Sequence, residues 1–84
     1  MRAALSQQKY DLLCFTHFET STGLQQPVDA LAKVASEAGI PIMVDSVSAL
    51  CTYPAHLDGW GVSVMTAASQ KGLGSVPGVG MIAV

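Results

Sequence analysis

Apolar and polar positions along this chain follow two periods, and the switches between them mark its elements. Leu12–Thr16, Pro41–Val44 and Val62–Ala67 are short runs of strand length, apolar nearly throughout. Such runs predict strands covered on both faces, as in a parallel sheet. Between the first two, Val28, Leu31, Ala32, Ala35 and Ala38 recur at helical spacing, with Asp29, Lys33 and Glu37 on another side. That pattern predicts an amphipathic helix. The pairs Asp29–Lys33 and Lys33–Glu37 would each add about 0.3 kcal/mol. Pro27 suits the first helical position and Gly39 the C-terminal cap. Arg2–Lys9, rich in Ala, Leu and Gln, reads as the end of an earlier helix that Tyr10 and Asp11 break.

Strand, helix and strand with short connections predict a βαβ unit with parallel strands and a right-handed crossover. His17–Gln26 reads as a polar turn. Cys51–Trp60 reads as irregular, with Pro54 and Gly59 as breakers. Val79–Val84 reads as a last strand after the Pro77-Gly78 turn. Too few residues precede it for a parallel crossover, so it is expected antiparallel to its predecessor. Met43, Met65 and Met81 read as core, Trp60 as packing for the irregular segment, and His56 as a surface residue.

Composition changes this picture in one respect. A chain of 84 residues holds at most one small domain and buries only roughly 60% of its unfolded surface. Yet 50% of its residues are hydrophobic, 12% are charged, and mean hydropathy is +0.42. It is expected to be part of a larger fold whose other elements cover its strands. The net charge is −2, and Arg2, Lys9, Lys33 and Lys71 are scattered. Nucleic-acid binding therefore has no electrostatic footprint. No run reaches the roughly 18 apolar residues of a membrane-spanning helix, and the N-terminus has no apolar signal core. Cys14 and Cys51 sit among apolar neighbours and lack metal-site spacing. They read as buried, reduced thiols, which points to an intracellular, reducing compartment.

In a parallel sheet, the residues that follow each strand gather at one edge, where open α/β sheets bind ligands. Here those residues are His17–Gly23, Asp45, and the trio Ser69, Gln70 and Lys71. An acid and an amine at one edge are either a structural ion pair or a pair that grips a ligand. A lysine so placed can act as a nucleophile toward carbonyls once it is desolvated. Gly72-Leu-Gly74 is only a fragment of a phosphate-loop pattern, and a dinucleotide site is not expected.

The ordered motifs His17-Phe-Glu-Thr-Ser-Thr-Gly23, Val44-Asp-Ser-Val-Ser48 and Ala68-Ser-Gln-Lys-Gly-Leu73, followed by Pro77-Gly78, resemble the class V aminotransferases. These are fold-type-I enzymes that use pyridoxal 5′-phosphate. The nearest likeness is to the alanine–glyoxylate and serine–glyoxylate (serine–pyruvate) branch. It covers His17–Val84, and the 26 positions from Asp45 to Lys71 agree with it. The resemblance implies a three-layer α/β fold with a mostly parallel sheet. It implies that Lys71 joins the cofactor aldehyde as a Schiff base and later shuttles the substrate Cα proton. Asp45 would hold a proton on the pyridine nitrogen, which makes the ring an electron sink. Thr20 would hydrogen-bond the phenolic oxygen, Val47 would pack on a ring face, and Gln70 and Ser69 would contact the phosphate. His17 and Glu19 belong to the motif, with structural hydrogen bonding as their expected part.

The resemblance also implies pieces that these residues do not supply. They are a phosphate-binding Gly/Ser turn, a stacking aromatic, a small domain with a carboxylate-binding arginine, and a second subunit of a homodimer. Residues 1–84 are thus expected to be a central fragment of the large domain, inactive by itself. The expected substrates of the parent are a small amino acid such as alanine or serine and a 2-oxo acid such as glyoxylate or pyruvate. The alternatives are a lyase on the same scaffold, such as a cysteine desulfurase, and a non-catalytic fragment. The desulfurases commonly carry His before the lysine, where this chain has Gln70.

Overall fold

The computed structural model describes all 84 residues, Met1–Val84. Helix α1 (Arg2–Gln7) precedes strand β1 (Leu13–Thr16). A small antiparallel hairpin follows, β2 (Phe18–Glu19) with β3 (Leu24–Gln25). Then come α2 (Val28–Glu37), β4 (Ile42–Asp45), the short α3 (Leu57–Trp60), β5 (Val64–Ala68) and β6 (Gly80–Ala83). The main sheet has the order β1-β4-β5-β6. β1, β4 and β5 are mutually parallel, and β6 runs antiparallel to β5. The expected mostly parallel sheet with an antiparallel last strand is therefore present. The segment read as a bare polar turn holds the β2–β3 hairpin, and the irregular segment holds α3.

The register aligns Thr16 with Asp45, Asp45 with Thr66, and Thr66 with Ile82. Side chains alternate between the two faces of a strand. Leu13, Phe15, Ile42, Val44 and Met65 point to one face. There they pack with Val28, Ala32 and Ala35 of α2, with Leu5 of α1, and with Leu57 and Trp60 of α3. Cys14, Thr16, Met43, Asp45, Val64 and Thr66 point to the other face, which no helix of this chain covers. Within these residues the strands are covered on one face only. The chain supplies two layers, a sheet and one set of helices. Ile82, on the bare face at the β6 edge, is 70% exposed.

Two further expectations are corrected. Cys14 and Cys51 are free thiols but exposed. Cys14 lies on the bare face, and Cys51 lies in the turn after β4 with φ 65°, in the left-handed region. The Asp29–Lys33–Glu37 ladder does not form. Glu37 pairs instead with Arg2 of α1 at 2.7 Å, which ties the two helices together and holds the Glu37 carboxyl below the usual carboxylate range. Helix α2 starts at Val28, with Pro27 as its N-cap residue, and Gly39 follows its end at φ 70°. Ala38 is exposed, and Leu31 is half-buried. No helix is long and apolar enough to cross a membrane.

Ile42 is 1% exposed at the centre of the covered face. Ile42→Ala should cost about 2–5 kcal/mol, because α2 and the neighbouring strands cannot collapse fully into the gap. Urea denaturation reads this directly. A cost below about 1 kcal/mol would mean that this face does not carry the core.

Candidate active site

The carboxyl ends of β1, β4 and β5 lie side by side, so their outgoing loops leave from one edge of the sheet. The middle loop begins with Asp45. Its Oδ1 accepts the Val47 N–H at 3.0 Å and the Thr66 hydroxyl at 3.4 Å. The first bond is the i to i+2 turn that Asp favours after a strand. It fixes the carboxylate and ties up the Val47 amide, while the Val47 side chain stays half-buried. Oδ2 has no partner within the chain, and the residue is exposed. Asp45 also lines a depression of about 220 Å³ with Cys14, Phe15, Thr16 and Met43.

The loop after β1 is bound to the same place. His17 donates its main-chain N–H to the Asp45 carbonyl at 2.8 Å. Its ring, 1% exposed, places Nδ1 3.3 Å from the hydroxyl of buried Ser46. The Trp60 ring meets it edge-on at 5.8 Å, and Tyr53 lies at 6.2 Å. His17 is thus buried and held by Ser46, Trp60 and Tyr53 within the chain. Glu19 accepts both the Ser21 N–H at 3.0 Å and the Ser21 hydroxyl at 2.9 Å. These bonds, the amide first, hold its carboxyl below the usual range. They shape the turn that carries Thr20, whose exposed hydroxyl makes no bond within the chain.

The third loop carries Ser69, Gln70 and Lys71. Ser69 is buried and bonded on every side, whereas Gln70 and Lys71 are exposed. The Lys71 carbonyl accepts the Gly74 N–H at 2.9 Å, which closes a tight turn. Gly72 sits against the Leu50–Thr52 turn of the middle loop. A Cβ there would overlap the Leu50 carbonyl oxygen and lie 2.8 Å from Thr52 Oγ1. Glycine at this position lets the lysine loop rest directly on the Asp45 loop.

Sequence reasoning named Asp45, Thr20, Val47, Ser69, Gln70 and Lys71. All of them lie on the three loops or at their strand ends. It gave no part to Thr66, Ser46 or Gly72. Thr66 is recognisable only once the β4–β5 register places it opposite Asp45. Ser46 needs the β1 loop folded over it, and Gly72 needs the turn it touches. A pyridinium ring requires a carboxylate with a spare acceptor, and a carbonyl group requires an accessible amine. Asp45 Oδ2 and exposed Lys71 fit both requirements.

Burial pushes the His17 imidazole below its ordinary pKa, because desolvation penalises the charged ring. The unfolded chain then binds the proton more readily than the folded one. The stability of the neutral ring is fully present above about pH 6.5 and is lost as pH falls below that value. Urea midpoints on either side of this pH check the effect. His17→Asn, which cannot titrate, should lose less stability on acidification than the unmodified protein. An equal loss in both would place the responsible proton elsewhere.

Comparison with known proteins identifies the family. The family model described as Aminotransferase class-V matches residues 1–84. Alanine–glyoxylate aminotransferase of Felis catus is 38% identical over 82 residues, 98% of this chain and 20% of that protein. A 2-aminoethylphosphonate–pyruvate transaminase of Burkholderia thailandensis is 37% identical over 70 residues, 83% of this chain and 19% of that protein. The crystal structure of an alanine–glyoxylate aminotransferase from Nostoc sp. superposes with a TM-score of 0.92 at 38% identity. It covers 99% of this chain and 22% of the Nostoc chain. The chain thus spans about a fifth of the length of the curated relatives it matches. With the three loops and their motifs in the same order as the sequence resemblance requires, the chain belongs to the class-V aminotransferase family.

Proposed function

We infer that residues 1–84 are the central part of the cofactor-holding domain of a longer, homodimeric transaminase. It would move an amino group from a small amino acid such as alanine or serine to glyoxylate or pyruvate. The observation that carries this reading is the placement of Asp45 at the carboxyl end of β4 and of Lys71 on the loop after the adjacent parallel β5, with one Asp45 oxygen free of the chain. The named relatives, an alanine–glyoxylate aminotransferase among them, support the choice of substrates. Two exposed free thiols suit an intracellular, reducing compartment.

Pyridoxal 5′-phosphate, when bound, supplies the aldehyde that receives the amino group and the ring that takes up the electron pair left on the substrate Cα. The residues of this chain do the rest by position and charge. Asp45 Oδ2 holds a proton on the ring nitrogen, while Oδ1 stays anchored by Val47 and Thr66. The Lys71 amine takes the proton from the substrate Cα and returns it on the other side of the transfer. Thr20 orients the ring through its phenolic oxygen. Val47 packs against one ring face, and Gln70 hydrogen-bonds the phosphate. The Ser69 hydroxyl hydrogen is committed within its own loop, so Gln70 is the better placed of the two for that contact. Protein outside these residues dries the site, since Asp45 and Lys71 are both exposed here. The isolated segment is accordingly inactive.

Borohydride treatment of the full-length protein with pyridoxal 5′-phosphate, followed by peptide mass spectrometry, should find the fixed adduct on Lys71. Asp45→Ala should leave that capture intact and lower turnover by at least about a hundredfold. An adduct confined to other lysines, or near-normal turnover of Asp45→Ala, contradicts the assignment.

A further inference from the structure

We propose that Ser69 is a positioning residue whose hydroxyl clamps the Lys71 loop shut and so fixes where the amine stands. The proposal rests on the transaminase reading above and adds a residue role to it. Every polar group of Ser69 is spent on the loop that follows it. Its hydroxyl donates to the Val76 carbonyl at 2.7 Å and accepts the Val79 N–H at 3.3 Å. Its amide donates to the Val79 carbonyl at 3.0 Å, and its carbonyl accepts the Ser75 N–H at 3.0 Å. The side chain is 6% exposed, whereas every residue from 70 to 80 is exposed.

Within these residues no side chain of the loop is buried, and the Ser69 hydrogen bonds are what tie it to the end of β5. Gly72 seats its near half on the Leu50–Thr52 turn. Ser69 ties its far half, Ser75 to Val79, back to the end of β5. Lys71 lies between Ser69 and Gly72, two residues after the first and next to the second. Without the hydroxyl, the Val76 carbonyl and the Val79 amide can turn to water at little cost to global stability. The loop then samples more conformations, and the amine spends less time in line with its target. Misplacement of a reacting group by about 1 Å costs on the order of a hundredfold in rate.

The test is Ser69→Ala in the full-length protein, with three readouts. Turnover should fall by about tenfold or more while KM for the amino donor changes by less than about twofold, because the loss is in reaction geometry rather than in substrate binding. Covalent capture on Lys71 should slow by the same factor with pyridoxal 5′-phosphate and with pyridoxal, which lacks the phosphate. Amide exchange at Ser75 and Val79 should quicken in the variant even without cofactor. A slowing confined to pyridoxal 5′-phosphate would make Ser69 a phosphate contact and overturn the clamp. Unchanged turnover or unchanged exchange would overturn it as well. If the unmodified protein captures neither aldehyde, the transaminase reading fails on its own and the positioning of a reactive lysine fails with it. Amide exchange then still separates a held loop from a loose one.

Discussion

Parallel pairing of β4 between β1 and β5 is the constraint on which the rest depends. The ladder does not stop at the strand ends. The His17 amide donates to the Asp45 carbonyl at 2.8 Å, and the Ser46 amide donates to the Thr66 carbonyl at 2.9 Å. These bonds carry strand register into the loops. A slip of one residue would turn Asp45 into the apolar face and bring Val44 out. Val44, fully buried against α2, makes that slip costly. The hydrophobic core therefore fixes the facing of a carboxylate that it does not touch.

Around that register the chain divides its labour. One face of the sheet is packed by α1, α2 and α3, and the other is bare. The candidate site residues lie at the edge where the parallel strands end, and most of them are exposed. Their order comes from short local bonds: Val47 and Thr66 to Asp45, Ser21 to Glu19, Ser69 to Val76 and Val79. Rigid strands with loops pinned at their bases are a physical setting in which an acid and an amine can be held apart from one another yet toward one ligand.

Much of this was legible in the sequence because it rests on local periodicity and connection length. The three apolar runs, the helical spacing from Val28 to Ala35, and the brief link before Gly80 gave the strand order its direction and its one antiparallel neighbour. The motif residues were legible because they follow strands. Pairings set by distant parts of the chain were not. Glu37 finds Arg2 rather than Lys33 because α1 packs beside α2. Cys14 and Cys51 have apolar neighbours in sequence, yet Cys14 lies on the sheet face that no helix of these residues covers and Cys51 lies in an exposed turn. The parts of Thr66, Ser46 and Gly72 follow from register and loop contact, which no single segment encodes.

The central claim is that Asp45 and Lys71 serve one ligand from neighbouring strands. A crystal structure of the full-length protein grown with pyridoxal 5′-phosphate tests it most directly. Continuous density should run from Lys71 Nζ into the ligand, with the ring nitrogen within about 3 Å of Asp45 Oδ2. A ring bound elsewhere, or these two side chains on opposite faces of the sheet with no shared ligand, would contradict it.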